Sequence, residues 1–508
     1  MRIACVQTRA RNAEEEALAL EEALKGVDRG AAQGADLVLL PEAVWPGYVL
    51  GPWLEGRNPE EVAEQSRKVW ELFSRKAREK KIGLGAGMLT VRSGKYYNSL
   101  VLFDPRGEEL GRGDKRFLWH FDRNWFTPGE TLKPLDTPWG KVGLLVCADA
   151  RIPEIARSLV RQGAWLLLDA ANLTSTGGSL EKATNQQVEF MLSTRARENG
   201  VYLAMANKSG LERDAVLYCG RSSLWNPRGE LMSRAESPGE GLALEDADPS
   251  EALALRKHVE FPEKLWSFLG SREKKSPSLF SDKPAKSLLM TGVLQAEWKS
   301  SESFRWLERA LWDLSVQGAS LALLPPFPED PEFGESLRER LRRYSKKYEN
   351  LVLAACLEEK ERKKSLVLSG GNELASLSEV PETELFEMPW GRFGVLWGDR
   401  GEIPEISRAL VLQGADILLW GGGSGEREPL YAFARTRAAE NRVFVALAGS
   451  DGGAAFFGPG GEILAQGLAE GRQAILGGAL LPLAKIKEFI PGTDVIRDRN
   501  PGQYVPEL

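Results

Sequence analysis

GLLVCADARIPE, residues 143–154, returns with five of its twelve residues unchanged as GVLWGDRGEIPE, residues 394–405. Each copy is a short apolar run, then a polar turn, then a Pro-Glu pair suited to the first turn of a helix. A run of strand length that is apolar throughout reads as a strand buried on both faces. Helices covering one side and a second sheet the other would bury it, which makes the unit α/β. The copies differ in the turn, where the first has Cys147 and the second Gly398.

The likeness spreads outward from that turn. Residues 138–164 and 389–415 share fifteen identities in twenty-seven positions, including PWG, IPEI and QGA. QGADLVLLPE (33–42) matches QGASLALLPP (317–326), and TRARENGVYLA (194–204) matches TRAAENRVFVA (436–446). A weaker match joins EKKSPSLF (273–280) to RDRNPGQY (497–504). The order is the same throughout, so the chain is a tandem duplication, the feature to seek before any other. Residues 1–280 form the first copy, the polar stretch SDKPAK at 281–286 a linker, and 287–508 the second copy. Between the first two matches the second copy is 33 residues shorter, and the expectation is that it lacks the counterpart of GRGDKRFLWHFDRNWFTPGE, residues 111–130.

Bulk properties narrow the function. At 508 residues more than one core is expected. The hydrophobic share of 43% and charged share of 27% are those of a water-soluble globular chain. A net charge of −6 gives no reason to expect nucleic acid or an anionic membrane as partner. No apolar run is long enough to span a bilayer, and MRIACVQTR begins in strand-like alternation without a signal-peptide core. Four scattered cysteines without a CxxC pair read as reduced thiols in a cytoplasmic protein. With two histidines in the chain, His120 and His258, histidine triads and histidine metal sites are not expected, and neither metal nor cofactor is called for. Proton chemistry then falls to carboxylates or lysine.

Three side chains stand out by their fate in the second copy. Glu42 aligns with Pro326, Cys147 with Gly398, and the segment holding Lys115 has no counterpart. Packing residues around them persist, as a core requires, whereas reactive groups that one copy no longer uses need not. Cys147 should stand at a strand's C-terminal end beside a helix start, where the dipole and a nearby cation would favour the thiolate. Glu42, after four apolar residues, is placed to act as a base. Cys356, in LVLAACLEE, reads as core, and Asp399 with Arg400 as a solvated turn.

PEAVWPGY, GDKRFL running into WFTPGE, and VCADARIPE resemble the three signature blocks of the nitrilase, or carbon–nitrogen hydrolase, superfamily. The resemblance covers the first copy in full, and the second resembles the same family with its catalytic blocks erased. It implies two tandem αββα sandwiches paired as an intrachain pseudo-dimer, with higher oligomers open. It implies a triad of Glu42, Lys115 and Cys147, with the Ala148 N–H as second oxyanion donor. Many members carry a second glutamate where this chain has Asp122, one methylene shorter. Tyr48, Trp119 and Asn172 are the substrate-binding candidates, within a wider aromatic group of Trp45, Trp53 and Trp125. Ala148, Asp149, Pro153 and Glu154 resemble the amidase branches more than the nitrilases. The implied activity is cysteine-dependent hydrolysis of a small amide, the alternatives being a nitrile or carbamoyl hydrolase and a non-enzymatic binding protein.

Overall fold

The computed structural model describes residues 1–175, 179–270, 287–296, 301–327, 331–359, 362–378, 380, 382–422, 426–449 and 453–504. The linker 281–286 and the segment EKKSPSLF lie outside them. The chain forms two compact units. One comprises Met1–Glu260, Ile490–Thr493 and Asp498–Leu508, and the other Phe261–Phe489 and Asp494–Arg497.

In the first unit the strands are β1 (Arg2–Arg9), β2 (Leu37–Leu39), β3 (Gly83–Arg92), β4 (Lys95–Phe103), β5 (Glu109–Asp114), β6 (Leu135–Thr137), β7 (Gly140–Val146), β8 (Leu166–Ala171), β9 (Tyr202–Glu212), β10 (Val216–Cys219), β11 (Ser223–Trp225), β12 (Leu231–Arg234) and β13 (Gly241–Asp246). They make two six-stranded layers, β5-β4-β3-β2-β1-β13 and β6-β7-β8-β9-β11-β12, joined where Thr8 pairs with Lys208. The inner strands are parallel and apolar, as burial between a helix layer and a second sheet demands. Helices Glu16–Ala32 and Pro59–Lys80 cover the first layer, and Pro153–Arg161 and Leu192–Asn199 the second. The helix read from PEIARSLVRQG runs over Pro153–Arg161, with Gly163 at φ 112° just past its end.

The second unit repeats the plan with strands β14 (Leu288–Gln295), β15 (Leu321–Leu323), β16 (Val352–Glu359), β17 (Arg362–Ser369), β18 (Asn372–Glu373), β19 (Glu384–Met388), β20 (Gly391–Trp397), β21 (Ile417–Gly421), β22 (Phe444–Ala448), β23 (Ala455–Phe457), β24 (Ile463–Gln466) and β25 (Gln473–Leu480). Its sheets, β18-β17-β16-β15-β14-β25 and β19-β20-β21-β22-β23-β24, reproduce the first unit's layers strand for strand. An inter-sheet core including Val293, Leu323, Phe393, Trp397 and Leu419 holds them together. Cys356 lies in that core, and Asp399 is exposed.

The shortening of the second copy is spread more widely than its sequence implies. The connection from β2 to β3 spans 40–82, against 324–351 between β15 and β16. That from β5 to β6 spans 115–134, against 374–383 between β18 and β19. Both connections, β2 to β3 and β5 to β6, were shortened, and the sheets they join were kept.

Candidate active site

Glu42 follows β2, in a loop fastened to β9. Lys208 Nζ donates to the Ala43 carbonyl at 2.8 Å, and Glu212 Oε1 accepts the N–H groups of Tyr48 and Val49 at 2.9 and 2.7 Å. The Glu42 side chain is fully buried, and its Oε1 accepts from Asn98 Nδ2 at 2.6 Å and Lys115 Nζ at 2.8 Å. Its Oε2 has no hydrogen-bond partner among the described residues. Burial foremost, with the charge of Asp122, raises this carboxyl's pKa, while Lys115 opposes the shift.

Lys115 leaves β5, and its backbone is held from three sides. Its N–H donates to the Asn98 carbonyl, its own carbonyl accepts from Gly129, and Asp149 Oδ1 accepts the N–H groups of Arg116 and Phe117. The ammonium is buried between Glu42 and Asp122 Oδ2, the latter at 2.7 Å. Burial pulls its pKa down, but Asp122 and Glu42 outweigh it, so the group stays charged. Asp122 therefore reaches the lysine despite its shorter side chain, fixed by the Trp119 N–H at 2.9 Å.

Cys147 follows β7 and opens the turn Cys147–Arg151 at φ 52°, a left-handed backbone uncommon outside glycine. Two groups hold it there: its N–H donates to Asp169 Oδ1 at 2.8 Å, and its carbonyl accepts from Gln187 Nε2 at 3.0 Å. Of these three residues Cys147 alone keeps some exposure, 7% against 0% for Glu42 and Lys115. The expectation of a ready-made thiolate is corrected. Burial and then the Glu42 charge push the thiol well above its ordinary value, and Lys115 only partly offsets them.

The remaining candidates divide. Tyr48 is buried, with its ring 5.1 Å from Phe121 and 5.4 Å from Lys115 Nζ. Asn172 is buried, and neither atom of its amide has a partner among the described residues. Trp119 lies beneath the Arg151 guanidinium, 4.8 Å from its ring. Ala148 is buried within the turn. The aromatic group thins on inspection, because Trp45 and Trp53 pack edge to face inside the helix-side core and Trp125 sits against it. Phe121, which the sequence reading passed over, takes their place beside Tyr48. Asn98, Asp169 and Gln187 were also missed, although Asp169, the lone acid in LLLDAA, was visible. Among the described residues no group of three or more His, Cys, Asp or Glu is arranged to hold a metal ion.

With this geometry in view, the comparisons with known proteins are specific. The family described as Carbon-nitrogen hydrolase matches residues 2–257 and 343–488, so both copies carry it. An omega-amidase of Homo sapiens is 28% identical over 263 residues, covering 49% of this chain and 90% of that protein. A nitrilase of Pyrococcus abyssi is 30% identical over 233 residues, covering 45% of this chain and 82% of that protein. A crystal structure of an amidase from Nesterenkonia sp. is 28% identical with a TM-score of 0.44, covering 51% of this chain and 94% of that one. The chain belongs to the carbon–nitrogen hydrolase family.

Proposed function

We propose that the first unit hydrolyses a small amide through a thioester on Cys147. The observation that carries this reading is the division of labour at Glu42. Oε1 is committed to Asn98 and Lys115, and Oε2, without a partner among the described residues, is left to take a proton. Glu42 removes the thiol proton as sulfur attacks the carbonyl carbon. The carbonyl π pair moves to oxygen, and that oxyanion is met by Lys115 and the Ala148 N–H. An ammonium has three N–H donors; Glu42 and Asp122 occupy two on Lys115, which leaves one for the oxyanion. As the intermediate collapses, the C–N bond breaks and the proton on Glu42 passes to the departing ammonia or amine. Water, deprotonated by Glu42, then cleaves the thioester and returns the thiol. A positioned base contributes about 10²–10⁴ in rate, and an oxyanion donor about 10²–10³.

Tyr48 and Asn172 serve as substrate contacts in this reading, Trp119 as part of the site's rim, and Asp122 as the acid that orients Lys115. An amide is favoured over a nitrile because the unpartnered Asn172 amide offers both a donor and an acceptor, and a carboxamide group needs both. Residues 287–508 serve as an inert, hydrolase-like copy kept for its surface, a built-in dimer partner. The four free cysteines support a reducing, cytoplasmic setting. Ammonia release from a panel of amides, nitriles and carbamoyl compounds, run beside Cys147→Ala, tests the assignment. Amide turnover that vanishes in the variant is expected, and turnover of nitriles alone would overturn the amide reading. A soluble, monomeric and fully active fragment 1–286 would overturn the role given to the second copy.

A further inference from the structure

Asp122, which holds Lys115, rides on the short turn His120–Asn124, and that turn needs outside support. His120 opens it at φ 46°, a left-handed conformation that a non-glycine residue keeps only when neighbours fix it. The fixing groups lie at the far end of the chain, in the segments Ile490–Thr493 and Asp498–Leu508 that belong to the first compact unit. The His120 N–H donates to Thr493 Oγ1 at 2.7 Å, and its Nδ1 lies 3.0 Å from the Pro491 carbonyl. Arg123, on the same turn, pairs with Asp498 at 2.7 Å. The next residue, Arg499, pairs at 2.9 Å with Glu154 in the first turn of the helix that follows Cys147. Thr493 is fully buried and Asp498 nearly so, so this is a built contact and not a loose tail.

We propose that Thr493 and Asp498 are positioning residues for the hydrolysis. The C-terminal segment sets the turn that carries Asp122 and Phe121, and through Asp122 it aims the Lys115 ammonium. This rests on the amide-hydrolase reading above. It gives sequence beyond the first copy a task at the catalytic site itself, because Ile490–Thr493 and Asp498–Leu508 belong to the first unit.

The test uses the full chain and the best amide from the panel. Thr493→Val keeps the shape and deletes the acceptor, Thr493→Ser keeps the acceptor, and Asp498→Asn weakens the pair with Arg123. A displacement on the order of 1 Å at a catalytic group costs up to about 10²-fold. A fall in kcat of roughly tenfold is expected for Thr493→Val, with KM within about twofold, because the lysine acts on the transition state. Thr493→Ser should recover the wild-type kcat, and Asp498→Asn should lose about threefold or more. Wild-type kcat in both Thr493→Val and Asp498→Asn would overturn the proposal, as would a Ser variant as impaired as the Val variant. If the Val variant does not fold, Asp498→Asn decides in the same way, since asparagine has the same shape and Arg123 is 40% exposed. A wild-type enzyme silent on every amide would instead sink the functional reading.

Discussion

The turn at Cys147 and the turn at Gly398 have the same backbone, at φ 52° and 55°, and opposite surroundings. In the first unit Asp169 on β8 accepts the Cys147 N–H, and Ala150 belongs to the same turn as Cys147. At the matching place in the second unit Trp420 donates its indole N–H to the Gly398 carbonyl at 2.8 Å. A methyl group on Gly401, the counterpart of Ala150, would stand 2.0 Å from that indole. A second exchange mirrors the first. Val146 becomes Trp397, and Ala170 becomes Gly421, where an added methyl would lie 1.9 Å from the Trp397 ring. Each large residue entered opposite a lost methyl, the kind of paired change a packed core tolerates. The fold keeps its strained turn in both copies. Glycine relieves the strain once no thiol has to be presented there.

The largest expected effect tests whether chemistry resides in the first turn alone. Cys147→Ala should bring turnover to the detection limit. Adding Gly398→Cys to that variant should restore nothing, since Pro326 supplies no base and the β18–β19 connection no lysine at Lys115's place. Assaying the double variant with the best substrate checks both statements. Recovery of turnover would mean that the second unit holds machinery its sequence does not display.

Next in size is the cost of emptying the second site. Trp420 is fully buried, and a buried tryptophan truncated to alanine costs about 3–5 kcal/mol. Trp420→Ala should therefore lower the unfolding midpoint markedly. Trp420→Asp, which reinstates the first unit's residue, should do no better, because a carboxylate would arrive beside a void at Gly401. Amide exchange in β21 and β22 reads this unit by itself. Protection unchanged in both variants would show that the tryptophan is not what fills the old site.

Much of this architecture was legible in the sequence, for a physical reason. Apolar runs such as GLLV and LLLDAA and the Pro-Glu helix starts are local signals, and the duplication displayed each of them twice. The triad candidates were legible because the second copy had lost them. What stayed hidden depends on partners distant in the chain. The protonation state of Cys147 follows from burial beside Glu42, Asn98 meets Glu42 only through the β3–β4 hairpin, and Thr493 meets His120 from the other end of the chain. Trp45 and Trp53 were ambiguous in the sequence, because an aromatic residue lining a pocket and one in a core look alike until the loop folds.

A smaller effect probes the acceptor of the Cys147 N–H. Asp169 is fully buried, and burial foremost holds its carboxyl well above the ordinary range, with the Cys147 N–H opposing. A neutral side chain with an acceptor oxygen should then serve nearly as well. Asp169→Asn is expected to stay within a few-fold of wild-type kcat. Asp169→Ala leaves a buried N–H unpaired, at about 1–3 kcal/mol, and lets the turn relax. It should lose roughly tenfold to a hundredfold. An Asn variant as impaired as the Ala variant would show that the charge, not the hydrogen bond, is what Cys147 needs.

The subtlest contrast concerns how the two units tolerate buried charge. The first surrounds Lys115 with two carboxylates. The second buries Lys487, whose Nζ donates to the Asn441 and Arg442 carbonyls at 3.1 and 3.0 Å. Burial is the chief cause that lowers its pKa to about 7; Lys485, Arg442 and Arg408 add to it and Asp416 opposes. The folded pKa lies below the unfolded one, so between pH 7 and about 10.5 the unfolded chain holds a proton that the folded chain does not. Stability therefore rises with pH across that window, by at most about 1.4 kcal/mol per unit from this group. Below pH 7 both states are protonated and the full cost of burying the charge remains. Lys487→Met loses two hydrogen bonds at every pH, a constant offset, and loses the slope as well. Amide exchange of β22 followed from pH 7 to 9.5, corrected for intrinsic rates, should show protection climbing in the wild type relative to the variant. Parallel profiles would mean that the lysine stays charged inside the fold, compensated by Asp416 more fully than its burial implies.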